Sequence, residues 1–132
     1  MEKTERYFLK KEDRLKSRKL IDKLFKEGKQ FSMFPFKVFW MNDNPAANLQ
    51  TGVGVSSRNF KRAVDRNRIK RLMREAYRLQ KNVLSEKLIT RNINMSVFIL
   101  YTGKDLPEYE TVFEKIGSAI NRLIKLADEK DQ

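Results

Sequence analysis

The spacing of apolar residues divides the chain into alternating helical and extended segments. In "SRKLIDKLFKE" (17–27), Leu20, Ile21, Leu24 and Phe25 recur at i, i+1, i+4 and i+5, the stripe of an amphipathic helix. Ser17 is placed to cap it and Gly28 to stop it. "FKVFWM" (36–41) is aromatic and β-branched, a strand by composition. "NDNPAAN" (42–48) is turn chemistry, and "TGVGVSS" (51–57) reads as a second strand forming a hairpin with the first. A helical period returns over 61–81, with Ile69, Leu72, Met73 and Ala76 on one side. "MSVFILY" (95–101) is almost continuously apolar, which predicts a strand in a central position. Asp105 is set to cap a last helix with Pro107 in its first turn. Val112, Phe113, Ile116, Ile120, Leu123 and Ile124 form the inward stripe of that helix. The predicted order is α-β-β-α-β-α, an α+β arrangement in which helices stack against a small mixed sheet.

The chain of 132 residues has no repeat and no Gly/Ser/Pro-rich linker, so a single domain over 1–132 is expected. Its ends, 1–13 and 126–132, are polar enough to fray. Cysteine and histidine are both absent, which excludes disulfides, thiolate zinc sites, cysteine nucleophiles and imidazole acid–base catalysis. No apolar run reaches the roughly 18–20 residues that span a bilayer, and the N-terminus lacks the apolar core of a secretory signal. The expectation is a cytoplasmic protein with no membrane partner.

The net charge of +12 changes the picture most, because a field of that sign and size draws polyanions. Its distribution is uneven. Residues 57–81 carry ten basic and two acidic side chains, whereas 31–56 are neutral and 104–132 are net acidic at −2. From Arg62 to Arg78 six arginines and one lysine face only Asp65 and Glu75. On a helical wheel Asn67, Arg71, Arg74 and Arg78 lie opposite the apolar stripe, with Arg66 and Lys70 on one flank and Arg68 on the other. A solvated helix face ordinarily mixes signs to gain i,i+4 pairs, and this one scarcely does. The preference for arginine, whose planar fork matches phosphate oxygens, points to nucleic acid. A strand and an irregular "RNF" precede this helix, which disfavours a helix–turn–helix DNA reader. RNA, read by shape, phosphate contact and stacking, is the better match.

"AVDRNRIKRLMREAYR" (63–78) closely resembles the signature of the bacterial ribonuclease P protein component, whose hallmark Arg-Asn-Arg stands here as Arg66-Asn67-Arg68, followed by Ile69-Lys70-Arg71. The likeness extends to Gly52-Val53-Gly54-Val55-Ser56-Ser57-Arg58, to "RLKSRKLIDKLFKEGKQF" (14–31) and to the "NMSVFILY" strand with the helix after it. The resemblance implies a two-layer α/β sandwich of the ribosomal protein S5 domain 2-like type. It also implies a left-handed βαβ crossover, where general rules would favour a right-handed one. It implies the protein subunit of ribonuclease P, a tRNA-processing ribonucleoprotein and endonuclease, a hydrolase that removes the 5′ leader of precursor tRNA. The RNA subunit then carries the chemistry with Mg²⁺, and this chain supplies no catalytic residue and no metal ligand of its own. The expected partners are ribonuclease P RNA and the precursor tRNA leader, with no DNA.

Carried over by position, Arg66, Asn67, Arg68, Lys70 and Arg71 would face the catalytic RNA, with Arg62, Arg74 and Arg78 extending that surface. A cleft between the first helix and the sheet would hold the single-stranded leader, lined by Ile21, Phe25 and Phe39 with Arg58 at its basic rim. Aromatic platforms suit a leader of variable sequence because every base has a π-face. The chain departs from the family pattern at Ser57, where many members carry a second basic residue, and at Ile21, where an aromatic is frequent. Two other classes fit parts of the sequence. A non-catalytic RNA-binding module such as a ribosomal protein would share the charge but not need Arg-Asn-Arg. A carboxylate nuclease would need a pair that Asp65 and Glu75, ten residues apart on the helix, do not form.

Overall fold

Ser17 accepts a hydrogen bond from the Leu20 N–H at 3.2 Å and so starts helix α1 (Arg18–Glu27), as its sequence predicts. Gly28 ends it, its N–H donating to Leu24 O. The glycine is needed for space rather than for an unusual backbone angle: its φ is −72°, but a Cβ there would sit 2.5 Å from Leu24 O. We describe residues 11–129 of the computed structural model, so the expectations for 1–10 and 130–132 lie outside the described residues.

Four strands follow: β1 (Lys29–Met33), β2 (Phe36–Met41), β3 (Leu49–Val55) and β4 (Met95–Tyr101). The sheet order is β1-β2-β4-β3, with β4 antiparallel to β2 and parallel to β3. The expected hairpin of β2 with β3 is therefore wrong. The true hairpin joins β1 to β2 across a cis Phe34–Pro35 bond, with Phe31 opposite Val38. Strand β1 goes unnoticed in sequence because "KQFSM" is half exposed and only Phe31 and Met33 alternate. The central position of β4 is as expected, and it explains the correction. A strand apolar on nearly every residue needs neighbours on both edges, and the seven-residue loop 42–48 is long enough to cross the two strand spacings, about 9–10 Å, between β2 and β3. That loop is fastened to the start of β4. Asn44 Nδ2 donates to Ser96 Oγ at 2.9 Å, Ser96 Oγ donates to Asp43 O at 2.8 Å, and Met95 N donates to Asn48 O.

Helices α2 (Ala63–Gln80), α3 (Asn82–Arg91) and α4 (Tyr109–Glu129) complete the order α-β-β-β-α-α-β-α. Helix α3 is an addition to the sequence reading. Only Lys81, itself at helical angles (φ −73°, ψ −19°), separates it from α2, and no glycine or proline marks the break. It stops at Asn92, whose φ of 57° is a left-handed turn that asparagine tolerates. The last helix begins at Tyr109 rather than near Asp105, because the carbonyl of Asp105 accepts a hydrogen bond from the Tyr101 hydroxyl and holds 105–108 as a loop. In its last turn Ala127 is buried, and Asp128 takes ion pairs from Lys87 at 3.2 Å and Arg91 at 3.0 Å. Before α1, Lys11–Asp13 forms a 3-10 turn. Among the described residues no helix is long and apolar enough to cross a membrane.

The sheet has two unequal faces. Phe36, Val38 and Trp40 of β2 and Val97, Ile99 and Tyr101 of β4 point to one side, where they meet Ile69 and Met73 of α2, Leu84 and Leu88 of α3, and Ile116, Ile120 and Leu123 of α4. Among the described residues α1 is the only helix on the other face; it is pinned by Leu24 and leaves Phe39 and Phe98 half-buried. Because Leu24 is the one fully buried side chain of α1, Leu24→Ala is expected to cost about 2–5 kcal/mol, read as a lower urea midpoint. A loss under about 1 kcal/mol would mean that α1 is held by something else.

Candidate nucleic-acid interface

Helix α2 is built by its buried stripe. Ile69, Met73, Ala76 and Tyr77 point inward, and Thr51 Oγ1 of β3 donates to the Tyr77 hydroxyl at 2.6 Å. Burial pushes the Tyr77 phenol well above its ordinary pKa, so it stays protonated. Around this anchor Asn67, Arg68, Arg71 and Arg74 are exposed, Lys70 is half-buried, and Arg62 stands exposed where the helix begins. These six groups form a continuous cationic surface over the first three turns.

Two of the expected members have other duties. Arg66 Nη1 donates to both Phe60 O and Lys61 O at 2.8 Å, so this guanidinium clamps the turn that leads into α2. Arg78 is only 7% exposed, and its Nη2 lies 2.5 Å from the Glu75 carboxylate. Its assignment to the exposed arginine face is corrected on that ground. The wheel gives the direction of a Cα–Cβ bond, whereas a long side chain folds back to a carboxylate one turn away.

The second cluster lies on the thinly covered face of the sheet. Phe25 of α1 meets Phe39 of β2 edge-on at 4.8 Å between ring centroids, and meets Phe98 of β4 at 5.2 Å. Phe25 remains 45% exposed, so the trio is a partly open aromatic surface rather than core. Ile21 is half-buried beside it, and the Lys37 ammonium lies 5.8 Å from the Phe39 centroid. Phe98 can lie across β3 only because Gly52 and Gly54 face it. A Cβ at Gly52 would come within 2.9 Å of the ring and one at Gly54 within 2.8 Å. A cavity of about 170 Å³ opens between this ring, Ile21 and α2, and it is lined also by Arg14, Lys16 and Arg74. Ser57 and Arg58 are exposed in the turn after β3, and among the described residues no hydrogen bond or ring contact ties Arg58 to the cluster.

The Ribonuclease P family model matches residues 9–124. The chain belongs to the ribonuclease P protein family. It is 37% identical to the ribonuclease P protein component of Porphyromonas gingivalis, over 87% of this chain and 85% of that one. Its identity to the component of Chlorobium phaeobacteroides is 32%, over 87% of each chain. In structure it is similar to the RNase P protein of Thermotoga maritima, solved in complex with 1-(4-fluorophenyl)-2-thiourea: TM-score 0.67, 25% identity, 83% of this chain and 98% of that one. It also shares the fold of the Staphylococcus aureus RNase P protein at a TM-score of 0.59 and 21% identity, covering 87% and 94%. As a ribonuclease P protein component the chain has its role in tRNA 5′ processing, with an RNA partner in the ribonucleoprotein.

The structure exposes Asn67, Arg68, Arg71 and Arg74 on α2 and gathers Ile21, Phe25 and Phe39, and it brings Phe98, Lys37, Arg14 and the glycine pair beside them. A signal for Phe98 exists in the sequence: it alternates with the core residues Val97 and Ile99, while Gly52 and Gly54 recur at the same period of two on the neighbouring strand. Arg14 has no such signal, since nothing local joins it to Arg74. The division of labour within the arginine motif is checkable by hydrogen exchange. Arg66→Gln should speed exchange of the amides at 60–66 roughly tenfold, as two hydrogen bonds to backbone carbonyls are lost. Arg68→Gln should leave them unchanged, and equal effects of the two would refute the clamp.

Proposed function

We propose that this chain binds the catalytic RNA of ribonuclease P through the exposed groups of α2 and holds the single-stranded 5′ leader of precursor tRNA on the Phe25–Phe39–Phe98 surface. In this reading it assists Mg²⁺-dependent endonucleolytic release of the leader, in the cytoplasm and with no DNA partner. The observation that carries it is the half-open aromatic trio beside a helix whose outward Arg62, Arg68, Arg71 and Arg74 have no carboxylate within ion-pair distance among the described residues. Leaving Phe25 nearly half exposed forgoes burial worth about 1 kcal/mol, and a stacked base restores it at about 1–3 kcal/mol. The arginines, Asn67 and Lys70 offer forked and pointed donors to phosphates in the RNA.

The division between protein and RNA follows from the donor set. Among the described residues no three Asp, Glu, His or Cys side chains gather, so those residues offer no carboxylate cage for Mg²⁺. In this reading the RNA holds Mg²⁺, which supplies an activated water. What the chain contributes is charge neutralisation, which lets two RNAs approach, and a track that orients the leader.

Cleavage of precursor tRNA tests the proposal at low Mg²⁺ with the RNA alone, the protein alone and both together. The expected result is strong stimulation of the RNA by the protein and no cleavage by the protein alone. Cleavage by the protein alone, or no stimulation, would overturn it. Arg68→Gln and Arg71→Gln should each lower the slope of log K for assembly against log salt by about 0.7–0.9. A slope that does not change would remove phosphate contact from those side chains.

A further inference from the structure

The stretch just before α1 is held in place from several sides. Gln50 Nε2 donates to Glu12 O at 2.9 Å, Leu15 N donates to Thr51 O at 3.1 Å, and Lys81 lies 3.6 Å from the Asp13 carboxylate. Leu15 is buried, and Arg14 pairs with Thr51 as a one-residue extension of the sheet beside β3. This anchoring fixes Arg14 at the 170 Å³ cavity that Arg74 enters from α2. Lys16 also lines it, and the remaining wall is apolar or neutral: Ile21, Val53 and Phe98 with the glycine backbone and Tyr77.

Among the described residues no acid lines this cavity. The Nε of Arg14 is buried without a hydrogen-bond partner, and among the described residues neither Arg14 nor Arg74 has a carboxylate within ion-pair distance. Burial, and then the neighbouring Arg14, lower the pKa of Arg74, yet a guanidinium stays charged at neutral pH. Two guanidinium groups thus converge from two elements on one small space, with their mutual repulsion unrelieved by any ion pair among the described residues. Their forks match the free oxygens of a phosphodiester, which would neutralise both at once.

We propose that Arg14 and Arg74 jointly clamp one RNA phosphate at the seam between the α2 arginine surface and the aromatic cleft. The site deepens the function proposed above and rests on it. RNA is favoured over a small free anion because the cavity is continuous with both surfaces: Arg74 belongs to the helix face, and Ile21 and Phe98 belong to the cleft. A nucleotide with its phosphate on the arginine pair would have an apolar floor for its sugar or base.

The test is a double-mutant cycle in the reconstituted holoenzyme with Arg14→Gln, Arg74→Gln and both. Assembly with the RNA subunit is measured, and so are affinities for precursor tRNA carrying a five-nucleotide leader and for mature tRNA. Each single variant should weaken the same step roughly tenfold and lower its salt slope by about 0.7, while the double variant is no worse than either. Loss of precursor but not mature tRNA binding identifies a leader phosphate; loss of assembly identifies a phosphate of the catalytic RNA. Additive losses near a hundredfold, or no loss with Arg14→Gln, would overturn the clamp. Thermal unfolding monitors the fold, and Arg14→Lys, which keeps the charge but not the fork, should recover only part of the binding. If Arg14→Gln fails to fold, the cycle is read with Arg14→Lys, and full recovery there refutes a forked contact. Wild-type stimulation of the RNA together with additive variants would sink the clamp alone; absence of stimulation would sink the underlying reading.

Discussion

Strand β4 pairs with β2 along one edge and with β3 along the other, so its backbone is engaged throughout and its side chains decide what each face of the sheet can hold. Toward the helices it presents Val97, Ile99 and Tyr101, all buried, and these form the wall on which α2 and α4 pack. Toward α1 it presents Phe98, flanked by two glycines of β3 that leave room for the ring. A one-residue slip of β4 would exchange these sets, putting Phe98 in the core and Ile99 in the open cleft. Both the basic helix and the aromatic cleft therefore depend on the register of a single strand. The loop 42–48, tied to Ser96 and Met95, helps to fix that register at its start.

The arginine-rich helix raises a question of magnitudes. Like charges on neighbouring turns of an exposed helix destabilise by a few tenths of a kcal/mol per pair. Burying Ile69 and Met73 completely contributes roughly 1.5–3 kcal/mol each, and Tyr77 adds a further buried ring with a satisfied hydroxyl. The apolar stripe outweighs the repulsion, so the helix stands without its partner. Two arginines also work within the fold, Arg66 on the preceding turn and Arg78 on Glu75. The cations that remain outward are those with no structural task, and they concentrate in the first three turns.

Periodicity reads well in this chain wherever an element meets the core with a full stripe: α1 with its Ser17 and Gly28 boundaries, the inner face of α2, the central β4 and the stripe of α4, except for Phe113, which is exposed rather than inward. It fails where an element's identity depends on distant partners. Strand β1 has too few buried residues to announce itself, and α3 follows α2 without a breaking residue. The β2–β3 hairpin is a natural guess from two strands and a turn, but pairing is settled by β4, fifty residues later. The same limit applies to the candidate site. Arg68, Asn67 and Arg71 are visible from helix geometry, whereas the burial of Arg78 and the meeting of Arg14 with Arg74 require the tertiary fold.

The unequal faces of the sheet also separate stability from binding. With three helices on one side, β2 and β4 already bury their core-facing side chains completely or nearly so, and the opposite side needs only Leu24 to hold α1 in place. Phe25, Phe39 and Phe98 are thereby released from core duty and can stay partly open. A fully covered second face would gain stability, at about 25 cal/mol per Å² of apolar surface, but would close the cleft. Short α1 and the missing second helix on that face are the reason an aromatic surface can persist beside the arginines of α2. The fold places the two surfaces at one seam because α2 packs on β3 while α1 packs on β2 and β4, and β4 is the strand paired with β3.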